Sequence, residues 1–128
     1  MYKVEIESKG DYRFSVTSKE VSFDVDAKGK DGVTPPDVLL ASLGSCVGVY
    51  IRKYADGAKI GLDAFEVSVE GDLGSEAPYR FRQIKVSVDL KGSSLDDRRK
   101  RALLEFVKNC PIHNTLKGNP DIEMTLKP

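Results

Sequence analysis

A helical segment between two groups of alternating segments constrains the fold of this chain more than any other feature. It runs from Thr34 to about Asp56 and is apolar nearly all round, which is typical of a helix enclosed by protein. Thr34 and Asp37 have the spacing of a capping box, and prolines between them suit a first turn. Gly44 and Gly48 are poor helix formers, so a close packing contact is expected to compensate for them.

Strands are predicted wherever apolar and polar residues alternate with a period of two. Three such segments precede the helix, two longer ones follow it, and one closes the chain: Tyr2 to Ile6, Tyr12 to Val16, Val21 to Val25, Phe65 to Val69, Ile84 to Leu90 and Ile122 to Leu126. Turn-forming residues stand in the short breaks, which predicts hairpins. Strands that come in runs, with helices inserted between them, indicate an α+β fold with mostly antiparallel sheets.

Two further helices are predicted near the carboxyl end. A capping-box pattern at Ser94 to Asp97 begins the first. Its apolar face is formed by Leu103, Phe106, Val107 and Cys110. Pro111 cannot continue that helix but suits the first turn of a short new one, which would end at Lys117 before Gly118.

Length and charge narrow the function classes. The 128 residues fit a single domain, 1–128, and the 20 basic and 20 acidic side chains give no electrostatic case for nucleic acid. The longest apolar stretch, Val38 to Ile51, is shorter than the roughly 20 residues that span a bilayer. Because the amino terminus lacks an export signal, we expect a cytoplasmic, reducing compartment. There, two cysteines are free thiols, catalytic partners or metal ligands rather than a structural cross-link.

The two cysteines admit two interpretations. Cys46 lies in the middle of the apolar helix and Cys110 precedes Pro111, so both can be small buried hydrophobes. Chemistry would instead require a thiolate, favoured by a helix amino terminus or a cation. Cys110 can cap the short helix, where free amides would favour its thiolate. Cys46 would need a cation, and the candidates near apolar segments are Arg13, Arg52 and Arg82.

His113, three residues after Cys110, leaves three alternatives open. With both cysteines it could bind zinc, although a structural zinc site has four ligands and these supply three. It could act as the base for a nucleophilic cysteine. It could also be simply hydrogen-bonded at a helix end.

The segment from Pro36 to Cys46, which ends in Leu-Gly-Ser-Cys, and the Cys-Pro-Ile-His segment that starts at Cys110 together resemble the two cysteine motifs of the OsmC/Ohr family. With the order of strands and helices, the resemblance covers essentially the whole chain. It implies an OsmC-like fold, with a buried central helix carrying Cys46 and a second helix ending at Cys110. It further implies an intertwined homodimer with active sites at the subunit interface.

The resemblance also implies an activity, a thiol-dependent peroxidase that reduces organic hydroperoxides in oxidative stress defence. Cys46 would attack the peroxide and Cys110 would resolve the sulfenic acid as a disulfide, which a dithiol reductant such as a lipoyl protein reopens. No metal or organic cofactor would take part. A different class of function, a binding module that holds an apolar small molecule at the dimer interface, stays as the alternative.

An arginine and an acid orient the thiolate in the family. Arg13 is the best positional match to the arginine, and Asp37 stands one residue away from the acid of the better-studied branches. On a straight helix the nine residues from Asp37 to Cys46 correspond to a rotation of about 180° and a rise of ~13 Å. Asp37 would therefore reach a thiolate only from a kinked helix or a partner subunit, or it only caps the helix. Cys-Pro-Ile-His also differs from the Cys-Pro-Tyr-Ser of those branches.

Overall fold

Three helices and five strands make up the computed structural model, which describes all 128 residues. In chain order they are β1 (Glu5–Gly10), β2 (Arg13–Ser18), β3 (Val21–Asp26), α1 (Pro35–Gly57), β4 (Glu66–Leu73), β5 (Phe81–Asp89), α2 (Asp97–Val107) and α3 (Pro111–Gly118). All paired strands are antiparallel and form two sheets, β1-β2-β3 and β4-β5. The α+β class with antiparallel sheets is therefore confirmed.

The first of two compact units, Met1–Ala41, contains the predicted three-stranded meander. Its first tight turn places Gly10 and Asp11 at positive φ, where glycine and short polar side chains are the least strained. The first strand begins at Glu5, later than the alternation from Tyr2 predicts. The pattern thus identified the strands but not the residue at which the first one begins. Alternation shows which side chains share a face, not how far the backbone is paired.

The beginning of α1 is held by the predicted capping box. The Asp37 carboxylate accepts hydrogen bonds from the Thr34 backbone N–H at 3.1 Å and from its hydroxyl at 2.8 Å. The Thr34 hydroxyl oxygen in turn accepts the Asp37 N–H at 3.3 Å. These bonds satisfy amides that the first helical turn leaves without partners, so α1 begins at Pro35.

Within the second unit, Ser42–Pro128, α1 buries one face. Leu43, Val47, Ile51 and Ala55 recur every four residues along it and are each at most 5% exposed. Gly44 belongs to this face, and a Cβ added there would lie 2.9 Å from Val69 Cγ2. The close approach predicted at Gly44 is confirmed. A Cβ added at Gly48 would lie 3.7 Å from Phe65 Cε2, an ordinary contact, so packing there does not require glycine.

The expectation that α1 is enclosed on all sides is wrong for the single chain. Val49 is 50% exposed and Leu39 is 37% exposed. The core packs on one side of the helix, where its members include Leu62, Leu95 and Leu103. An apolar residue pattern cannot distinguish a helix covered on every face by its own chain from one that keeps apolar side chains at the surface.

The second unit continues with the predicted hairpin β4-β5 and the two later helices. The cap of α2 is Asp96, whose carboxylate accepts the Arg99 N–H at 2.8 Å, rather than the Ser94 capping box. Asp supplies the same oxygen acceptor as Ser and stands at the actual helix boundary. The short helix α3 ends at Gly118, with Asn119 in the left-handed conformation behind it.

The predicted last strand does not form. The chain after α3 has no regular structure, and Ile122, Met124 and Leu126 are between 76% and 95% exposed. Alternation is present, but a strand also requires a neighbour for its backbone hydrogen bonds, and this chain supplies none there. None of the three helices combines the length and the apolar character that crossing a bilayer demands.

Candidate active site

Cys110 occupies the amino-terminal cap of α3, as predicted from the proline that follows it. Its sulfur accepts the His113 backbone N–H at 3.4 Å, and its own N–H donates to the Val107 carbonyl at 3.0 Å. Pro111 has no N–H to leave unpaired in the first turn. With none of its surface exposed, Cys110 is fixed in place and shielded from solvent.

Cys46 lies on α1, close enough to the Cys110 thiol for the two groups to influence each other electrostatically. The Ile112 backbone N–H lies near the Cys46 sulfur and lowers the pKa of its thiol. The first turn of α3 therefore brings one amide near each sulfur, Ile112 near Cys46 and His113 bonded to Cys110. Both thiols are free, and Cys46 is only partly buried while Cys110 is sealed. Of the two sulfurs, Cys46 is the one that solvent reaches.

The electrostatic environment of Cys46 favours its protonated form. Burial raises the pKa of the Cys46 thiol above its ordinary value, and the neighbouring Cys110 thiol raises it further. The Ile112 amide and the positive charge of Lys53 lower the pKa of Cys46, but their sum is smaller. At neutral pH the resting Cys46 is thus a neutral thiol with a second cysteine beside it, a pair that can join as a disulfide.

Arg13 lies in the first unit, on β2, where its Cα is paired with that of Asp26. The Asp26 carboxylate accepts backbone N–H groups of Asp31, Lys28 and Lys30 at 2.9 to 3.2 Å. These hydrogen bonds, with a smaller contribution from the Arg13 charge, lower the pKa of Asp26. Arg13 is thus the cationic neighbour of an acid that ties the loop leading to α1.

Asp37 also lies in the first unit, and its carboxylate is bonded to Thr34. These hydrogen bonds lower the pKa of Asp37, because they favour the ionised carboxylate. Asp37 therefore acts as a helix cap in this chain. A role at the thiolate, for Asp37 as for Arg13, stays a prediction.

His113 contributes its backbone rather than its ring to the sulfurs. The imidazole Nδ1 lies 3.3 Å from the Asn114 side-chain oxygen. No three His, Cys, Asp or Glu side chains gather into a possible metal site. Of the alternatives for His113, the geometry matches a residue hydrogen-bonded at a helix end.

The other arginines that the sequence offered have partners elsewhere. The Arg52 guanidinium lies over the Phe65 ring at 5.5 Å. Arg82 packs close to Gly74 and lines, with Asp72 and Glu76, a polar surface depression of about 320 Å³ in the β4-β5 loop. The cation that acts on Cys46 is Lys53, which the sequence analysis missed. Its spacing of two helical turns from Cys46 was the available signal.

Comparison with known proteins gives a family match over most of the chain. Residues 27–125 match the OsmC-like protein family, a range that includes both cysteines and all three helices. The curated proteins contain no match.

Solved structures share the fold at low sequence identity. An OsmC-like protein from Mycoplasma pneumoniae is 21% identical with a TM-score of 0.81, covering 93% of this chain and 89% of its own. The organic hydroperoxide resistance protein OhrB of Bacillus subtilis is 21% identical with a TM-score of 0.67, covering 98% of both chains. An OsmC-like protein of unknown function from Vibrio cholerae is 13% identical with a TM-score of 0.72, covering 90% of this chain and 92% of its own.

Proposed function

Since this chain belongs to the OsmC-like protein family, we propose that it is a thiol-dependent peroxidase that reduces organic hydroperoxides in oxidative stress defence. The observation that carries the proposal is the proximity of a partly exposed thiol, Cys46, to a sealed one, Cys110. Structural relatives that are hydroperoxide resistance proteins support it at the level of the fold. Access assigns the roles, because a peroxide can reach Cys46 and not Cys110.

In the first step the Cys46 thiolate attacks one oxygen of the hydroperoxide. An S–O bond forms and the O–O bond breaks. The leaving alkoxide takes a proton from solvent and departs as an alcohol. Cys46 is then a sulfenic acid, oxidised by two electrons. The Ile112 amide, which lowers the pKa of Cys46, favours the thiolate that begins this step.

In the second step Cys110 attacks the Cys46 sulfur. The S–S bond forms, the S–O bond breaks, and hydroxide leaves as water after taking the proton of the Cys110 thiol. Because the Cys110 thiol lies beside the Cys46 thiol, the chain itself supplies the second sulfur for this step. A dithiol reductant such as a lipoyl protein then exchanges with the disulfide, restores both thiols and leaves as a disulfide itself.

The proposal treats residues 1–128 as a single OsmC-like domain that works as an intertwined homodimer. Arg13 and Asp37 would then approach Cys46 of the partner subunit. Within one chain, burial keeps the pKa of Cys46 high. The homodimer would add the guanidinium that a single chain does not place beside this sulfur. A nearby guanidinium would lower the pKa of Cys46 and increase the thiolate fraction.

The raised pKa of Cys46 also favours a second candidate, a binding module that holds an apolar small molecule without chemistry. The peroxidase and the binding module differ in the expected reactivity of the Cys46 thiol. If the homodimer activates Cys46, its alkylation rate near neutral pH exceeds that of a free cysteine peptide. A slower rate than that of the peptide would favour the binding module.

The variant Cys110→Ser tests the resolving step. With one equivalent of an organic hydroperoxide, we expect Cys46 to stop at the sulfenic acid, which a dimedone probe traps and mass spectrometry localises. Serine retains an oxygen that can cap α3, so the fold is preserved. The double variant with Cys46→Ser is the matched control and should trap no probe. Undiminished turnover of Cys110→Ser with dithiol would remove Cys110 from the mechanism.

A further inference from the structure

Cys46, Tyr50 and Lys53 form one stripe along α1. Their spacings of four and three residues place them within about 60° of one another around the helix axis. Side chains on a helix lean toward its amino terminus, so Lys53 extends back over Tyr50 in the direction of Cys46. The sequence thus brings a cation to the same face as the reactive thiol, two turns away.

Ring contacts fix the ammonium group. The Lys53 Nζ lies 4.8 Å from the centroid of the Tyr50 ring. That ring is itself packed at 5.8 Å from the Phe106 ring of α2. An ammonium group held on an aromatic ring moves less than that of an unrestrained lysine. Its charge therefore stays on the side of α1 from which it lowers the pKa of Cys46.

We propose that Lys53, held on the Tyr50 ring, is the cation of this chain that supports the ionised form of Cys46. It is a positioning residue, because it acts through the thiol and does not touch the peroxide. The inference rests on the proposed function only in taking Cys46 as the nucleophile. It adds a lysine of the same helix to the arginine that the resemblance pointed to.

The other charged and titratable groups near this stripe have partners of their own. On α2, Glu105 and Lys108 form an ion pair at 2.9 Å. On α3, the His113 ring contacts Asn114 and the Cys110 thiol lies beside Cys46 itself. On α1, Arg52 lies over Phe65. Lys53 is thus the positive charge on this face that faces Cys46.

The test compares Lys53→Gln with its parent in a Cys110→Ser background, so that only Cys46 reacts. Iodoacetamide is uncharged, so its rate follows the thiolate fraction. Near neutral pH we expect Lys53→Gln to alkylate about two- to five-fold more slowly, the size of an exposed charge interaction. The pH profile should shift upward while its alkaline plateau stays unchanged. Lys53→Arg should restore the parent profile.

Lys100→Gln, which removes an exposed charge of α2, is the control and should leave the profile unchanged.

In the parent, about 0.5 M potassium chloride should slow alkylation as well, because the screening length falls below about 5 Å. This measurement decides the matter if Lys53→Gln does not fold. Superimposed profiles for the parent and Lys53→Gln, or a salt-independent parent rate, would overturn the inference. Since no peroxide is used, failure of the peroxidase proposal would be recognised separately, by absent hydroperoxide consumption.

Discussion

Replacing Cys46 by serine is expected to abolish hydroperoxide consumption, with a loss on the order of 1,000-fold or more, as for removal of other nucleophiles. A serine hydroxyl is not ionised at neutral pH and cannot form the S–O bond on which turnover depends. The two side chains have nearly the same shape, and Cys46 is only partly buried, so the packing of α1 should survive. Hydroperoxide consumption with excess dithiol, measured at equal protein concentrations, checks the prediction.

The matched comparison is Cys110→Ser, which keeps the nucleophile and loses the second sulfur. In the absence of reductant it should still consume one equivalent of hydroperoxide, while Cys46→Ser should consume none. Equal rates for wild type and Cys46→Ser would exclude Cys46 as the nucleophile. Circular dichroism of both variants ensures that neither loss reflects unfolding.

Replacing Ile51 by alanine is expected to produce the largest loss of stability. Ile51 is fully buried on α1, in the cluster that also contains Leu62, Leu95 and Leu103. Truncation removes three carbon atoms from a close-packed core and leaves a cavity, which lowers the free energy of unfolding by about 2–5 kcal/mol. Because small domains are stable by only about 5–15 kcal/mol, the denaturation midpoint should fall markedly.

Val49→Ala is the control, on the same helix but 50% exposed. Its free energy of unfolding should change by no more than about 0.5 kcal/mol, as for other surface positions. Urea denaturation under reducing conditions measures both variants, and the slope of each transition should match that of the wild type. Equal midpoints for Ile51→Ala and Val49→Ala would contradict the one-sided burial of α1.

Local signals in the sequence predicted most of the elements. The Thr34 and Asp37 pair fixed the beginning of α1, because a capping box needs only residues within one turn. Pro111 predicted the capping position of Cys110 for the same reason, whereas the preceding helix ends at Val107 and not at Cys110 as predicted. At α2 two acceptors, Ser94 and Asp96, competed for one cap, and the pattern could not choose between them.

Features that depend on distant parts of the chain were beyond the sequence. The residues from Ile122 to Leu126 alternate like a strand, yet alternation does not supply a neighbour to pair with. Likewise the apolar residues of α1 did not reveal that Val49 would face outward. The proximity of Cys46 and Cys110 was predicted only from the family resemblance. No local sequence rule relates two residues so far apart in the chain.

The electrostatics of the site were the least predictable part. The direction of the Cys46 pKa shift results from burial and from the thiol beside it, and both depend on tertiary packing. From the sequence, only arginines were considered as the cation beside Cys46. In the structure, Lys53, two turns along α1, lowers the pKa of this thiol. The signal in the sequence is the spacing of seven residues, two helical turns, between Cys46 and Lys53.

The central claim is that two adjacent sulfurs undergo reversible oxidation together, and peptide mass spectrometry tests it most directly. Wild-type protein treated with one equivalent of organic hydroperoxide should lose two hydrogens, with the peptides of Cys46 and Cys110 joined, and dithiol should restore both thiols. Two unreacted thiols after treatment, or Cys46 oxidised to a sulfinic acid beside a free Cys110, would contradict the account.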